Sequence, residues 1–150
     1  MLMLDSDNYI PQFGKRRSSR KYTDRYVVYG IGFNRRGKVL LAKARGKFTL
    51  PGGGIYSDES AKQALKREVL EETGWHVKVI REICRANEWT YSNRKRRYMN
   101  KIARFYLIRP ISKKHKPIDR DHEGKWVTYT KAARDLKKEF HRWALFKCLS

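Results

Sequence analysis

Residues 53–75 read GGIYSDESAKQALKREVLEETGW, and this stretch decides the fold. Ser60 followed three residues later by Gln63 is a helix start in which each side chain satisfies a backbone N–H of the first turn. Ala61, Ala64, Leu65 and Val69 recur at helical spacing and make one apolar stripe. Gly74 is a natural stop, because a helix ends readily on a residue that turns left-handed without strain. The pattern predicts a helix over 60–73. On it Glu68, Glu71 and Glu72 stand at i, i+3 and i+4, on one side, with Cβ atoms about 5–6 Å apart. Like charges at that spacing repel and weaken a helix.

An acidic cluster in this chain needs a reason. There are 36 Lys and Arg against 15 Asp and Glu, a formal net charge of +21, yet five of the acids fall between Asp58 and Glu72. One reason is a hard divalent cation, since magnesium accepts carboxylate oxygens while keeping waters and substrate phosphates in its shell. The other is a solvated acidic face balanced by Lys62, Lys66 and Arg67. The glycines at 52, 53 and 54 shift the weighing toward the first. Glycine lets backbone approach a ligand closely, and loop amides at a helix N-terminus face an anion. A Gly-rich loop alone is also simply a strand-to-helix turn.

Taken together, the segment resembles the Nudix box G-x5-E-x7-R-E-U-x-E-E-x-G-U at all nine specified positions: Gly53, Glu59, Arg67, Glu68, Val69, Glu71, Glu72, Gly74 and Trp75. The resemblance implies a hydrolase that cuts a phosphoanhydride in a nucleoside diphosphate linked to another group, such as a nucleoside triphosphate, a dinucleoside polyphosphate or an NDP-sugar. It implies a Mg²⁺ cofactor, with Mn²⁺ able to take its place. Glu68, Glu71 and Glu72 match the family's metal-binding carboxylates, and Gly53 the loop residue whose carbonyl touches the metal. Glu68 also matches a position that often acts as general base, a role that varies within the family. Glu59 matches a supporting acid, and Arg67 a residue that holds the glutamates by charge-assisted hydrogen bonds. Many members add a ligand or base from a later loop. Asp119, Asp121 and Glu123 are the acids there, and Glu123 is the first choice; an exposed acidic loop reads equally well.

Outward from the box, Tyr26–Phe33 (YVVYGIGF) reads as a buried strand and Asn34–Gly37 as a turn. Lys38–Lys43 (KVLLAK) reads as the return strand of a hairpin, Lys47–Leu50 as a short strand, and Pro51–Gly54 as a loop. His76–Trp89 is expected to be extended and Ile102–Ile108 to be a strand. A loop is expected over 109–124, a last strand over Lys125–Thr130, and helices over Lys131–Leu136 and Glu139–Leu149. Strands, a helix, strands and helices in that order suggest α+β, a mixed sheet sandwiched between helices. The boundaries read as a flexible basic leader over 1–21 and one domain over 22–150.

The substrate is less legible. A tyrosine stands sixteen residues past the box, at Tyr91, as in family members acting on diadenosine polyphosphates, and the proline often found in ADP-ribose enzymes is Thr90 here. Arg96, Arg97 and Lys101 follow Tyr91 within a basic run that begins at Arg94. Cations beside aromatics suit a base stacked on Tyr91 and phosphates held by the three basic side chains; a solvated hairpin tip fits as well. The +21 charge attracts polyanions, which motivates a second reading, a pyrophosphohydrolase of RNA 5′ ends. A non-catalytic nucleotide- or RNA-binding module would be favoured by lost box carboxylates, and none is lost. Two cysteines in no metal-ligand spacing suggest a reducing cytosol. The start of the chain does not read as a signal peptide, and no apolar run approaches the roughly 20 residues that span a bilayer. A cytoplasmic protein, monomer or homodimer, is expected.

Overall fold

The computed structural model describes residues 9–114, 116–118 and 121–150; Asp119 and the first eight residues of the expected leader lie outside these. Eight strands and three helices make up the regular structure of the described residues. The first strands are β1 (Gln12–Gly14), β2 (Tyr22–Gly32), β3 (Val39–Ala44), β4 (Lys47–Thr49) and β5 (Gly52–Gly54). Helix α1 (Ala61–Thr73) leads to the long strands β6 (Trp75–Ser92) and β7 (Arg97–Lys113), then β8 (His122–Val127), α2 (Tyr129–Asp135) and α3 (Glu139–Cys148). One sheet runs β1-β6-β7-β2-β5, and a second runs β4-β3-β8. The β2–β7 and β1–β6 pairings are parallel and the others antiparallel, so the α+β expectation with a mixed sheet holds.

From Val27 to Gly32 strand β2 is buried on both faces, which is why this part of its sequence is a continuous run without polar alternation. Val27, Tyr29 and Ile31 meet Phe105, Phe140 and Leu145 in one core cluster. Val28 meets Leu65, Val69, Tyr106 and Ile108 in the other. Helix α1 covers the second face and α3 the first.

Several boundaries move, each for a physical reason. The Asn34–Gly37 turn forms, with the Asn34 side chain accepting from the Arg36 and Lys38 amides. The hairpin it was expected to close does not extend past one bridge, Phe33 to Val39. Residues Val39–Ala42 are buried throughout, and β3 finds its partners in β4 and β8 instead. The glycines 52–54 are a strand and not only a loop: a Cβ on Gly52 would lie 2.0 Å from the Val28 carbonyl oxygen, so only glycine lets this segment pair with β2. Strand β7 runs on through the expected loop to Lys113, with Pro110 placed beside a register irregularity at His76/Val77, where its missing N–H is tolerated. Strand β8 starts at His122, three residues early, because its pairing with β3 reaches Ala44, and it ends at Val127 because Thr128 is the N-cap of α2, accepting from the Lys131 amide. Within the expected leader, Gln12–Gly14 is an edge strand on β6, and Phe13 packs on Phe140 and Trp143.

Candidate active site

Helix α1 begins and ends as its sequence directs. Ser60 and Gln63 form a reciprocal capping box, and Gly74 adopts φ 78° and donates to the Leu70 carbonyl. Leu65 and Val69 anchor it to the sheet, which turns Arg67, Glu68, Glu71 and Glu72 toward β5 and the loop that follows.

Arg67 organises the acids. Its Nε and Nη2 donate to the two Glu59 carboxylate oxygens at 3.1 and 2.6 Å. Nη1 donates to Glu68 at 3.0 Å and to Glu71 at 3.4 Å, and Nη2 also donates to the Gly54 carbonyl at 3.1 Å. The guanidinium lies 4.0 Å above the Tyr56 ring. A planar fork can make these bonds together, and a lysine ammonium cannot. The bonds hold Arg67 still more firmly charged and draw the Glu59 carboxyl below its usual range.

Glu68 and Glu72 lie deeper. A Cβ on Gly53 would sit 2.7 Å from the Glu68 carboxyl carbon, so this carboxyl rests directly on the glycine loop. Burial pushes the Glu68 carboxyl up, against the Arg67 bond that pulls it down. Glu68 is also hydrogen-bonded to Glu72, which is 7% exposed and accepts from the Gly52 amide at 3.3 Å. The structure thus brings Gly53, Glu59, Arg67, Glu68, Glu71 and Glu72 to one place. Among the described residues, however, no three His, Cys, Asp or Glu side chains are gathered in a metal-holding arrangement; the carboxylates are turned instead to Arg67, Gly52 and each other.

Glu123 does not join them. Its side chain is 60% exposed and pairs with Lys125 at 2.8 Å, with Lys43 and Lys113 as its other charged neighbours. Neighbouring residues of a strand face opposite sides, and it is His122 that lies beside the site, 3.9 Å from Glu72. Asp121 is exposed, 3.9 Å from Arg45. The sequence search was for acids, and so it passed over the histidine.

The expected phosphate and base contacts are divided by the same alternation. Lys101 pairs in register with Glu88, and Tyr91 with Tyr98, which places Lys101 and Tyr91 on opposite faces of the sheet. Tyr91 is 47% exposed against the Tyr98 ring. Arg96 turns the β6–β7 hairpin at φ 51° and, with Arg97, is exposed. Lys101 faces α3, where Lys101 and Lys138 approach Glu88 at 3.9 and 3.5 Å. Burial, then Lys138, pulls the Lys101 ammonium below its usual range. Arg25 belongs to the same group, and Tyr29 feels the charges of Glu88, Glu72, Arg25 and Glu68 together. On the α3 face Lys101 and Lys138 thus stand about Glu88, with Arg25 within electrostatic reach of Lys101. Arg25, Glu88 and Lys138 lie far apart in sequence and gave no motif to find.

The fold and the box arrangement define a known class. The NUDIX domain family model matches residues 23–147, and the chain belongs to the NUDIX family. An RNA pyrophosphohydrolase of Pectobacterium carotovorum is 34% identical over 89 residues, covering 58% of this chain and 42% of that protein. One from Haemophilus influenzae is 36% identical over 89 residues, 58% of this chain and 38% of its own length. The chain thus spans about two fifths of the length of the curated relatives it matches. Among solved structures, a NUDIX hydrolase from Nitrosomonas europaea superposes with a TM-score of 0.71 at 18% identity, over 85% of this chain and 89% of that one. A MutT protein from Methanosarcina mazei gives 0.64 at 23% identity, over 86% and 95%. These likenesses establish the fold. Among the described residues no helix is long and apolar enough to cross a membrane.

Proposed function

We propose that this chain is a magnesium-dependent hydrolase, active also with manganese, that splits a phosphoanhydride in a substrate carrying a nucleoside di- or triphosphate. The observation that carries the reading is the Arg67-centred cluster of Glu59, Glu68 and Glu71, with Glu72 and Gly53 against it. Its metal donors, Glu68, Glu71, Glu72 and the Gly53 carbonyl, are the hard oxygens that suit magnesium. Bound there, the ion would neutralise charge on phosphate oxygens and acidify a water. Glu68, whose carboxyl is raised by burial, takes the proton of the attacking water. The water oxygen bonds to phosphorus, and the bridging oxygen leaves with the electron pair as a phosphate. Arg67 fixes the Glu68 and Glu71 carboxyls through the reaction. Arg25, Lys101 and Lys138 hold the outer phosphates, with Glu88 setting their positions.

Phosphate or pyrophosphate release from a panel of nucleotides, with and without Mg²⁺, tests this. Full activity in Glu71→Gln and Glu72→Gln would falsify the metal assignment.

A second reading, that the substrate is the 5′ end of an RNA, is supported by the names of the relatives matched over 89 residues and by the +21 charge. A 5′-triphosphate RNA should then outcompete free nucleoside triphosphate at physiological salt, and its binding should weaken steeply as salt rises. Equal turnover of the two removes this reading and leaves the first. A cytoplasmic location and a monomeric or homodimeric state complete the proposal; fractionation and light scattering test them.

A further inference from the structure

The face of the five-stranded sheet opposite α3 is covered by α1 only at one end. Strand register places Tyr22, Tyr26, Asn87, Trp89, Tyr98 and Ile102 on the uncovered part. From the hairpin tip inward, Tyr91 meets Tyr98, Tyr98 meets Tyr22, and Tyr22 meets Trp89, with centroids 5.0, 5.4 and 4.9 Å apart. Two guanidinium groups lie on this aromatic row, Arg16 at 4.9 Å from the Trp89 ring and Arg20 at 5.4 Å from Tyr98. Neither has an acidic partner among the described residues.

The row leads into a pocket of about 460 Å³ lined by Tyr26, Tyr56, Asn87, Ile102, Arg85 and Arg104, among others. Tyr26 and Tyr56 are 60% and 58% exposed. The Asn87 Oδ1 atom is buried without a hydrogen-bond partner. The acids on or beside this face are already engaged: Asp24 by Asn100, Glu82 by Arg85, and Glu59 by Arg67. Tyr56, one wall of the pocket, is the ring beneath Arg67, so the pocket opens beside the box.

We infer that this face is a docking track for single-stranded RNA, with an unstacked base in the Tyr26 pocket and the backbone phosphates along Arg104, Arg20 and Arg16. The inference rests on the RNA reading above and says how the body of that substrate is held. Aromatic side chains stack any base, and interleaved cations follow the backbone. A nucleobase fits within such a pocket with room to spare, against the Tyr26 and Tyr56 rings and with Asn87 in the wall. The charge selects the occupant: two copies of so cationic a face repel, whereas a polyanion gains at each arginine and releases counterions.

The test is fluorescence anisotropy with a labelled oligoribonucleotide bearing a 5′-hydroxyl, without magnesium. Such a probe has no terminal phosphates for the box to recognise. Wild type should bind it with a strong salt dependence. Tyr26→Ser should weaken binding roughly 5- to 100-fold, the loss expected for one stacked base. Arg104→Gln should lower the slope of log affinity against log salt by about 0.7, one phosphate contact. Both variants should keep wild-type kcat on a free nucleotide. Unchanged affinity and slope in both variants overturn the inference, and so does a wild-type protein that does not bind the probe. A dimer in light scattering that Tyr26→Ser dissociates also overturns it, by assigning the face to a second copy. If the probe binds as expected while 5′-triphosphate RNA is not turned over, the track stands and the RNA-end reading fails.

Discussion

Gly53 and Glu68 are in contact: a methyl group on Gly53 would stand 2.7 Å from the Glu68 carboxyl carbon and 2.7 Å from its Oε1. The β5 glycine therefore sets where the carboxyl on α1 can sit. Gly53 has no positive φ, so alanine costs nothing in backbone strain, and its effect is to displace Glu68. Gly53→Ala should lower kcat on the order of a hundredfold, as misplacing a reacting group by about 1 Å does. The melting temperature should stay close to wild type. A variant with unchanged kcat would show that Glu68 does its work from another position.

The box carboxyls and the apolar stripe of α1 should respond in opposite ways. Glu68→Gln removes the proposed base and also relieves crowding with Glu71 and Glu72. Turnover should fall about 10²- to 10⁴-fold, with little change in thermal stability. Leu65 is fully buried under α1, and Leu65→Ala should cost roughly 2–5 kcal/mol, with per-molecule activity retained below the lowered melting point. Assays run beside melts separate the two. A Glu68→Gln protein that melts much earlier would assign this carboxyl to the fold.

The contrast marks what the sequence could tell. Helix α1 was legible to within a residue, caps included, because capping and periodicity are local. So was the two-sided burial of β2. Gly52–Gly54 was read as a loop because its strand character depends on Val28, more than twenty residues earlier in the chain. Glu123 stands out among the acids of its loop, and His122 does not, because composition names a residue type, whereas the phase of β8 against β3 decides which side chain faces Glu72. Lys101 and Tyr91 were joined into one patch by proximity in the chain and are divided by the period of two. The charged group of Arg25, Glu88, Lys101 and Lys138 needs three strands and a helix to assemble, so no window of sequence contains it.

His141 couples this charged group to stability. It is 1% exposed, and its Nδ1 accepts from the Leu50 amide at 3.2 Å. Burial first, then the charges of Lys101 and Lys138, hold its pKa well below the ordinary 6.5. The folded protein keeps this ring neutral where the unfolded chain protonates it. The unfolded state therefore binds the extra proton, and stability falls as pH drops below 6.5. The limiting slope for one such group is about 1.4 kcal/mol per pH unit. Melting temperatures between about pH 7.5 and 5.5 should decline in wild type, and less steeply in His141→Gln, whose amide oxygen can still accept from Leu50. Parallel profiles for the two proteins would remove His141 as the cause.

The two lysines at Glu88 make the sharpest test of how phosphate is bound. Lys138 approaches Glu88 at 3.5 Å and Lys101 at 3.9 Å, so one carboxylate restrains both ammonium groups and cancels only part of their charge. If these groups hold the outer phosphates, removing a cation and removing the acid have opposite signs. Lys138→Ala should raise KM for a nucleoside triphosphate roughly 10-fold, the lower end for a charge-assisted hydrogen bond, with kcat little changed because Lys138 takes no part in the proton transfer. Glu88→Gln should leave KM the same or lower it, since the anion no longer competes with the substrate. Its KM should also become more sensitive to salt, because less fixed structure positions the cations. If both variants raise KM to the same degree, Glu88 and Lys138 act as one structural pair, and the outer phosphates are held elsewhere.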